Sequence, residues 1–333
     1  MDNLYTHDDL KTMQGWDLAR KMQVSQTRIL EWYSKHDNKC YISFSGGKDS
    51  TVLAYLASHV CMMEKCKLIL WFSDTGLEFP ELKSHVKTYG EWLKEKFPGL
   101  EVETVIDYPK DRKGNRISFR DIILKYGYPI LSKNISRKIH DVQKMGQDCY
   151  AARCFDGRET GTYDLRKWKF VIDAPFKVSA RCCDVLKKNP SHRYAKKTGR
   201  APIIGTMACE SQWRRIEWLR HGCNAFDNKE PASRPISFWT EQDILSFIHT
   251  YGLPYPSIYG EILQDESGKW HTTGYNRTGC MYCAFGAHLE KEPNRFQRLK
   301  QTHPKIWDYC MKPVEKGGLG MRKVLEFINV KIE

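Results

Sequence analysis

Short apolar runs alternate with longer amphipathic stretches over the first third of the chain. Three of the runs predict buried strands, since each is a handful of apolar residues between polar or glycine-rich segments; they span residues 40–44, 68–72 and 102–106. Apolar residues at helical spacing predict helices before and between them, over residues 8–35, 51–60 and 80–97. Strands that alternate with helices predict an α/β fold, with a parallel, five-stranded type of sheet covered by helices on both faces.

The rest of the chain gives fewer signals. Residues 107–200 are basic and poor in long periodic segments, whereas residues 202–206 predict one further core strand. An arginine-rich helix is expected over 210–221, and another over 240–251 that Thr240 can cap. We expect one division of the chain, near residue 230. Residues 1–230 would be a nucleotide-binding domain with a helical N-terminal segment, and residues 231–333 a helical, cysteine-containing extension.

Charge and cysteine content narrow the class of protein. The chain has 53 basic and 40 acidic residues, a formal net charge of +13, which favours polyanionic partners such as nucleic acid. No apolar run approaches the ~20 residues of a membrane span, and the acidic N-terminus is unlike a secretory signal. We therefore expect a cytoplasmic protein without a membrane partner. In a reducing compartment the 12 cysteines favour metal, cluster or sulfur chemistry over disulfides.

A glycine-rich string lies between the first predicted strand and the helix that follows it. Glycines permit a tight turn and close approach of oxyanions, and the first amides of a helix favour bound phosphate. A lysine adds positive charge and two serines add hydroxyl donors. The spacing differs from that of a Walker loop. The predicted phosphate-binding residues are Ser45, Gly46, Gly47, Lys48, Asp49 and Ser50.

Residues 43–50 resemble the PP-loop of N-type ATP pyrophosphatases, which split ATP between its α and β phosphates. Residues 71–80 and 234–260 resemble the superfamily of phosphoadenosine phosphosulfate (PAPS) reductases and ATP sulfurylase small subunits. The resemblance covers about residues 38–285 and implies an adenine nucleotide alpha hydrolase-like fold. It also implies ATP with Mg²⁺ at the carboxyl ends of the strands. Lys48, Asp49 and Ser50 would then act in catalysis, with Phe44 and Asp74 beside the adenosine.

Two pairs of cysteines have spacings that suit a metal centre. Cys182 and Cys183 are adjacent, and Cys280 and Cys283 form a CxxC pair, which can hold one metal or cluster from a single turn. Zinc, unligated thiols and a redox pair are all compatible with these residues. The combined arrangement resembles adenylyl-sulfate reductases, and that resemblance implies a 4Fe-4S cluster held by the four cysteines.

Two departures separate the chain from sulfonucleotide reductases. Those enzymes use a nucleophilic cysteine in a Glu-Cys-Gly-Leu/Ile-His segment, which residues 1–333 do not contain, and Cys310 lies in a different context. They also usually lack the full SGGKDS loop. Sulfurylase small subunits keep the loop but need no cluster. The features are closest to the ATP-pyrophosphatase component of DNA phosphorothioation systems, and more loosely to cluster-dependent tRNA thiolases.

The sequence therefore favours an ATP pyrophosphatase that adenylylates an acceptor for sulfur transfer. The acceptor would be nucleic acid, DNA rather than tRNA, with a cysteine desulfurase or another sulfur donor as partner. Arg214, Arg215 and Arg220 would face that polyanion, the α-phosphate or solvent. One alternative is a phosphoadenylyl- or adenylyl-sulfate reductase that uses Cys310 or another thiol. A second alternative is a nucleotide- and nucleic-acid-binding subunit without turnover.

Overall fold

The structure is a computed structural model that describes residues 3–159 and 164–333. Ten strands lie within those ranges: β1 Cys40–Ser43, β2 Leu68–Ser73, β3 Val102–Asp107, β4 Ile130–Leu131, β5 Ala201–Ile204, β6 Asn224–Ala225, β7 Ala232–Ser233, β8 Ile262–Gln264, β9 Trp270–Thr272 and β10 Ala284–Phe285. The same ranges hold fourteen α-helices: α1 His7–Gln14, α2 Leu18–Lys35, α3 Lys48–Met63, α4 Pro80–Lys96, α5 Phe119–Tyr126, α6 Lys133–Met145, α7 Tyr150–Phe155, α8 Arg181–Cys183, α9 Asn189–Thr198, α10 Gln212–His221, α11 Glu241–Tyr251, α12 Arg295–Thr302, α13 Pro304–Met311 and α14 Met321–Phe327.

The chain forms two compact units, each built from separate stretches. Unit 1 comprises Met1–Asp74, Phe79–Asp107 and Ser191–Thr278. Unit 2 comprises Thr75–Glu78, Tyr108–Pro190 and Gly279–Glu333. The division near residue 230 predicted from the sequence stays a prediction, since it concerns domains that are contiguous in the chain.

A six-stranded sheet is the centre of unit 1, in the order β3-β2-β1-β5-β7-β6. All neighbouring pairs are parallel except β6 and β7, which pair antiparallel at one edge. Ile42 of β1 lies opposite Leu70 on one side and Ile203 on the other. Because β1 and β2 run parallel, the turns that follow them meet at the same edge of the sheet.

Side chains alternate between the two faces of this sheet, as the pleat requires. On one face, Ile42 and Leu70 join the main apolar core with residues of α2, α3, α4, α10 and α11. On the other, Tyr41 and Trp71 pack with Tyr194 of α9. Helices thus cover both faces, and the α/β fold class predicted from the sequence is confirmed.

Residues 8–35, which the sequence predicts to be helical, form two helices instead of one continuous helix. The chain forms α1, which Gly15 ends, and then α2, which Asp17 caps by accepting a hydrogen bond from the Arg20 amide at 2.8 Å. Capping of the first amides stabilises the new start. By contrast, Thr240 caps α11 as predicted, accepting from the Asp243 amide.

Unit 2 is mainly helical. Its strands β4 and β10 form a short parallel pair, so that the stretch after Cys283 lies beside Ile130 and Leu131. None of the helices in the described ranges combines the length and apolarity that a membrane crossing needs.

Candidate nucleotide site and cysteine centre

The loop between β1 and α3 is shaped by two glycines. Gly46 has a φ of +75°, and a Cβ there would lie 2.8 Å from Val86 Cγ2 and 2.9 Å from the Leu82 carbonyl oxygen. Gly47 is the N-cap of α3, and its Cβ would lie 3.1 Å from the Tyr259 hydroxyl. Position 46 therefore requires glycine, and the loop leads directly into the N-terminus of α3, a position that favours a bound anion.

Hydroxyl groups hold this loop in place. Ser50 Oγ donates to the Gly47 carbonyl at 2.9 Å and shares a hydrogen bond with Ser45 Oγ at 3.1 Å. The Gly47 amide donates to Ser45 Oγ at 3.3 Å. Thr51 Oγ1 also donates to the Gly47 carbonyl and lies 3.0 Å from His85 Nε2. The two serines predicted to bind phosphate therefore also fix the loop.

Lys48 is buried, with 4% of its surface exposed. Its Nζ donates to Glu241 Oε1 at 2.5 Å and to the Asn276 carbonyl at 2.7 Å. Its amide donates to Tyr259 Oη at 3.4 Å, and that phenol is 2.6 Å from Thr278 Oγ1. These contacts, from parts of unit 1 about 200 residues further along the chain, surround the predicted loop.

Asp49 has a carboxylate oxygen without a partner in the described chain. Its Oδ1 is buried and forms no hydrogen bond there, and burial raises the pKa of Asp49, an effect that Lys48 and Arg277 oppose. A buried, unpaired carboxylate oxygen beside a phosphate-binding loop suits Mg²⁺, which is typically bound by one or two carboxylates together with substrate phosphates. The residues present therefore fit a magnesium–nucleotide complex, with Asp49 as the protein ligand.

Two other predicted nucleotide residues lie in different surroundings. Phe44 is 1% exposed and stacks on Tyr89 at 5.4 Å between ring centroids, within the apolar core. Asp74 follows β2; its amide donates to the Asp107 carbonyl at 2.8 Å, and its carboxylate pairs with Lys83 at 2.7 Å. Their roles beside adenosine stay predictions.

Sequence reasoning missed Gly205, Glu241, Tyr259 and Thr278. A Cβ at Gly205 would lie 3.3 Å from both the Asp49 carbonyl oxygen and the Ser50 amide, so this glycine lets the end of β5 approach the first turn of α3. Glu241 and Tyr259 lie in stretches that resemble the PAPS reductase superfamily, which was the available signal. Their contacts with Lys48 could not be inferred from spacing.

The three arginines of α10 have different environments. Arg214 is ion-paired with Glu210 and lines a cleft of about 220 Å³ with Trp213, Thr206 and Arg234. Burial lowers the pKa of Arg214. Arg215 and Arg220 are exposed. Of the three, Arg214 is thus directed to a cleft at the carboxyl end of β5.

His85 makes the folding stability of the protein depend on pH. It is 7% exposed, and burial lowers its pKa to about 4, whereas an unfolded histidine titrates near 6.5. Protonation therefore favours the unfolded state, and stability falls as the pH drops from about 6.5 to 4, by up to about 3 kcal/mol. We expect urea unfolding at pH 7 and pH 4 to show a smaller loss in His85→Gln than in the wild type. An equal loss in both would contradict this role.

The four predicted cysteine ligands lie in one neighbourhood of unit 2. Cys182 and Cys183 form α8, and the Cys283 amide donates to the Cys280 carbonyl at 3.1 Å in a tight turn. A hydrogen bond from Cys182, helped by Lys133 and Lys187, lowers the pKa of Cys183 to about 6. The same contact raises the pKa of Cys182, to which burial and the charges of Cys183, Cys283 and Cys280 add.

Lysine contacts distinguish this cluster from a preformed metal site. The pKa of Lys187 is raised, chiefly by its electrostatic interaction with Cys280, to which it is also hydrogen-bonded. Within residues 3–159 and 164–333, no three His, Cys, Asp or Glu side chains are arranged to hold a metal ion. The thiols as placed do not fit a metal centre, so we derive no chemical step through a cluster.

Cys310, the thiol considered for a reductase mechanism, is fully buried, and burial raises its pKa. A buried, protonated thiol is a poor nucleophile.

Known proteins resemble this chain at three levels. Residues 159–285 match the model of the phosphoadenosine phosphosulfate reductase domain. An uncharacterized protein of Methanocaldococcus jannaschii is 23% identical over 313 residues, or 93% of this chain. The chain spans only 56% of that relative's length.

A crystal structure of NAD+ synthetase from Burkholderia pseudomallei aligns with 72% of this chain and 70% of its own, at 9% identity and a TM-score of 0.38. We draw no argument from a similarity at that level. The domain match supports the resemblance to the PAPS reductase superfamily that the motifs predict. It begins after the SGGKDS loop, so the loop and the domain match are separate observations.

Proposed function

We propose that this chain is an ATP pyrophosphatase that adenylylates a nucleic-acid acceptor for sulfur transfer. The observation that carries the proposal is the loop at the start of α3. There, a glycine-shaped backbone, a buried lysine and an unpaired Asp49 oxygen come together at the carboxyl edge of a parallel sheet. That set provides amides, positive charge and a magnesium ligand for a polyphosphate.

The loop residues would act as follows. The amides of Gly47 and Lys48 exchange the Ser45 and Tyr259 hydroxyls for phosphate oxygens. Lys48 moves from Glu241 and Asn276 to the β and γ phosphates, where its charge stabilises the leaving group. Mg²⁺ held by Asp49 would neutralise phosphate charge. The acceptor oxygen forms a bond to the α-phosphorus as the bond to the bridging oxygen breaks, and pyrophosphate leaves.

The second half of the reaction requires a sulfur donor. Sulfide sulfur would attack the adenylylated atom of the acceptor, and AMP would leave with the acceptor oxygen. If the outer sulfur of a persulfide attacked instead, AMP would leave in the same way, and a thiol would then cleave the disulfide that joins donor and acceptor. A cysteine desulfurase is the class of donor that would supply the persulfide. The preference for DNA over tRNA rests on the resemblance to phosphorothioation enzymes, and both acceptors belong in the test.

Product analysis separates this proposal from the reductase alternative. We expect anaerobically purified protein to release pyrophosphate from ATP in the presence of a nucleic-acid acceptor, and to release no sulfite from PAPS with thioredoxin. Sulfite without ATP cleavage would overturn the proposal in favour of the reductase. Binding of ATP and nucleic acid without pyrophosphate under any acceptor would favour the non-catalytic subunit.

Iron and acid-labile sulfide analysis of the same preparation tests the sequence-based cluster. About four irons per chain would establish a 4Fe-4S cluster and would require the thiols to rearrange from their lysine contacts. Iron-free protein with full pyrophosphate release would remove the cluster from the proposal while leaving the ATP chemistry standing.

A further inference from the structure

The net charge of the chain lies almost wholly in one of its two units. Unit 1 has 24 basic and 24 acidic residues, and unit 2 has 29 basic and 16 acidic residues. The excess of +13 is therefore carried by unit 2, whereas the unit with the nucleotide loop is neutral. The proposed nucleotide loop therefore lies in the unit without net charge, and the basic excess of unit 2 calls for an explanation of its own.

Helix α6 arranges part of this charge in a line. At 100° per residue, Lys133, Arg137, His140 and Lys144 fall within about 60° of one another around the helix axis. The opposite side holds Ile135, Ile139 and Val142, which are buried. The lysines and the arginine are exposed.

The length of this line suits a polymer of phosphates. From Lys133 to Lys144 the helix rises about 16 Å, at 1.5 Å per residue, which is long enough to contact several consecutive phosphates of a strand. Arg137 and Lys144 form no ion pair with the carboxylates of the described chain. By contrast, Arg158 and Lys169, nearby in sequence, are both paired with Asp156. The charges of Arg137 and Lys144 are thus available to an external anion, whereas Lys133 contacts Cys183 and Lys138 donates to Cys154 Sγ at 3.2 Å.

An exposed aromatic ring lies next to the basic helix. Tyr150 is 54% exposed, and Lys138 of α6 lies with its Nζ 4.5 Å from the ring centroid. The Arg153 guanidinium lies 5.9 Å from the same centroid and pairs with Glu159 at 3.4 Å, so Lys138 is the cation that this ring presents beside α6. A ring beside a cation can stack on a nucleobase while the cation contacts phosphate, a combination typical of protein surfaces that bind nucleic acid. Binding of an acidic protein or a membrane needs the positive charge but not the exposed ring.

We propose that the exposed face of α6, with Tyr150, binds the phosphate backbone and a base of a nucleic acid. This rests on the proposed function only in that the bound strand would be the acceptor. It places the binding surface on unit 2, and not on α10 of unit 1, whose arginines the sequence offered for the same role.

Paired double variants test this assignment. Arg137→Gln with Lys144→Gln removes two charges from α6, and Arg215→Gln with Arg220→Gln removes two exposed charges from α10. Affinity for a short DNA duplex, a DNA single strand and an RNA hairpin is measured by fluorescence anisotropy over a range of salt. We expect the α6 variant to bind more weakly, with a salt slope lower by about 2, and the α10 variant to match the wild type. A loss in the α10 variant alone, or none in either, would overturn the proposal.

A third variant separates base contact from charge. Tyr150→Leu keeps the net charge, so we expect weaker binding to the nucleic acids but unchanged binding to polyglutamate. Equal binding of nucleic acid by Tyr150→Leu and the wild type would remove the ring from the site. Thermal unfolding midpoints verify that each variant is folded. Binding of ATP with Mg²⁺, measured on the same samples without nucleic acid, distinguishes failure of the ATP site from failure of this surface.

Discussion

Replacing Lys48 with alanine is expected to lower pyrophosphate release from ATP by about 10²- to 10³-fold, the loss typical when one preorganised group at a developing charge is removed. Lys48 is the first residue of α3, directly after the loop, and because its side chain is buried, water does not replace the charge that alanine removes. The measurement is the turnover number at saturating ATP, Mg²⁺ and nucleic-acid acceptor, together with ATP–pyrophosphate exchange in the presence of that acceptor.

Lys67→Ala is the matched control. Lys67 pairs with Glu103 at 3.0 Å on the exposed surface of the same unit, and such pairs contribute little to stability. We expect its turnover to equal that of the wild type. If Lys48→Ala also kept full turnover while remaining folded, the loop would not be the catalytic phosphate site, whatever its shape.

The second large effect is expected at Gly46. Alanine there must adopt a φ of +75°, which costs about 1–2 kcal/mol, and its Cβ would collide with the backbone oxygen of Leu82 and with Val86. Overpacking of this kind adds about 1–3 kcal/mol. Gly46→Ala should therefore lose about 3 kcal/mol of unfolding free energy, read from urea denaturation, and should lose ATP turnover because the loop must shift.

Gly199 supplies the control for backbone conformation alone. Its φ is +67°, and a Cβ there meets nothing within 4 Å. Gly199→Ala should thus show the cost of the left-handed backbone without the collision, and should keep its turnover. Equal losses of unfolding free energy in Gly46→Ala and Gly199→Ala would mean that the collision with Leu82 and Val86 of α4 does not affect stability.

Local signals explain which parts of the fold could be predicted. The strands β1, β2 and β3 and the loop before α3 each follow from a few neighbouring residues, since apolar runs and the Gly-Gly turn act over short distances. The break between α1 and α2 was missed because the apolar period continues through it, while the cap at Asp17 decides the structure. Helix α6 was also missed, although Ile135, Ile139 and Val142 have helical spacing, because basic residues surround them.

The candidate site likewise combines residues that the local sequence indicates with residues that only the tertiary fold brings there. Loop residues such as Lys48 and Asp49 were identified from the loop itself. Glu241 and Tyr259 meet Lys48 only through the tertiary fold, across 193 and 211 positions of sequence, and no local pattern encodes such a pairing. The grouping of Cys182, Cys183, Cys280 and Cys283 came from the resemblance to adenylyl-sulfate reductases, and no local pattern indicated the lysine contacts of these thiols.

The contacts of Lys48 also affect which ligands the loop would bind. Glu241 and the Asn276 carbonyl already occupy the ammonium, and the Tyr259 hydroxyl occupies the amide beside it. These groups of the protein thus compete with an entering ligand for Lys48. A ligand binds more tightly the more its negative charge exceeds that of the groups it displaces. A nucleoside or a monophosphate offers little in this exchange, whereas a polyphosphate offers several oxyanions at once. If the loop binds nucleotide as proposed, preference for polyphosphates over monophosphates is expected from these contacts of Lys48, before any contact with the base is made.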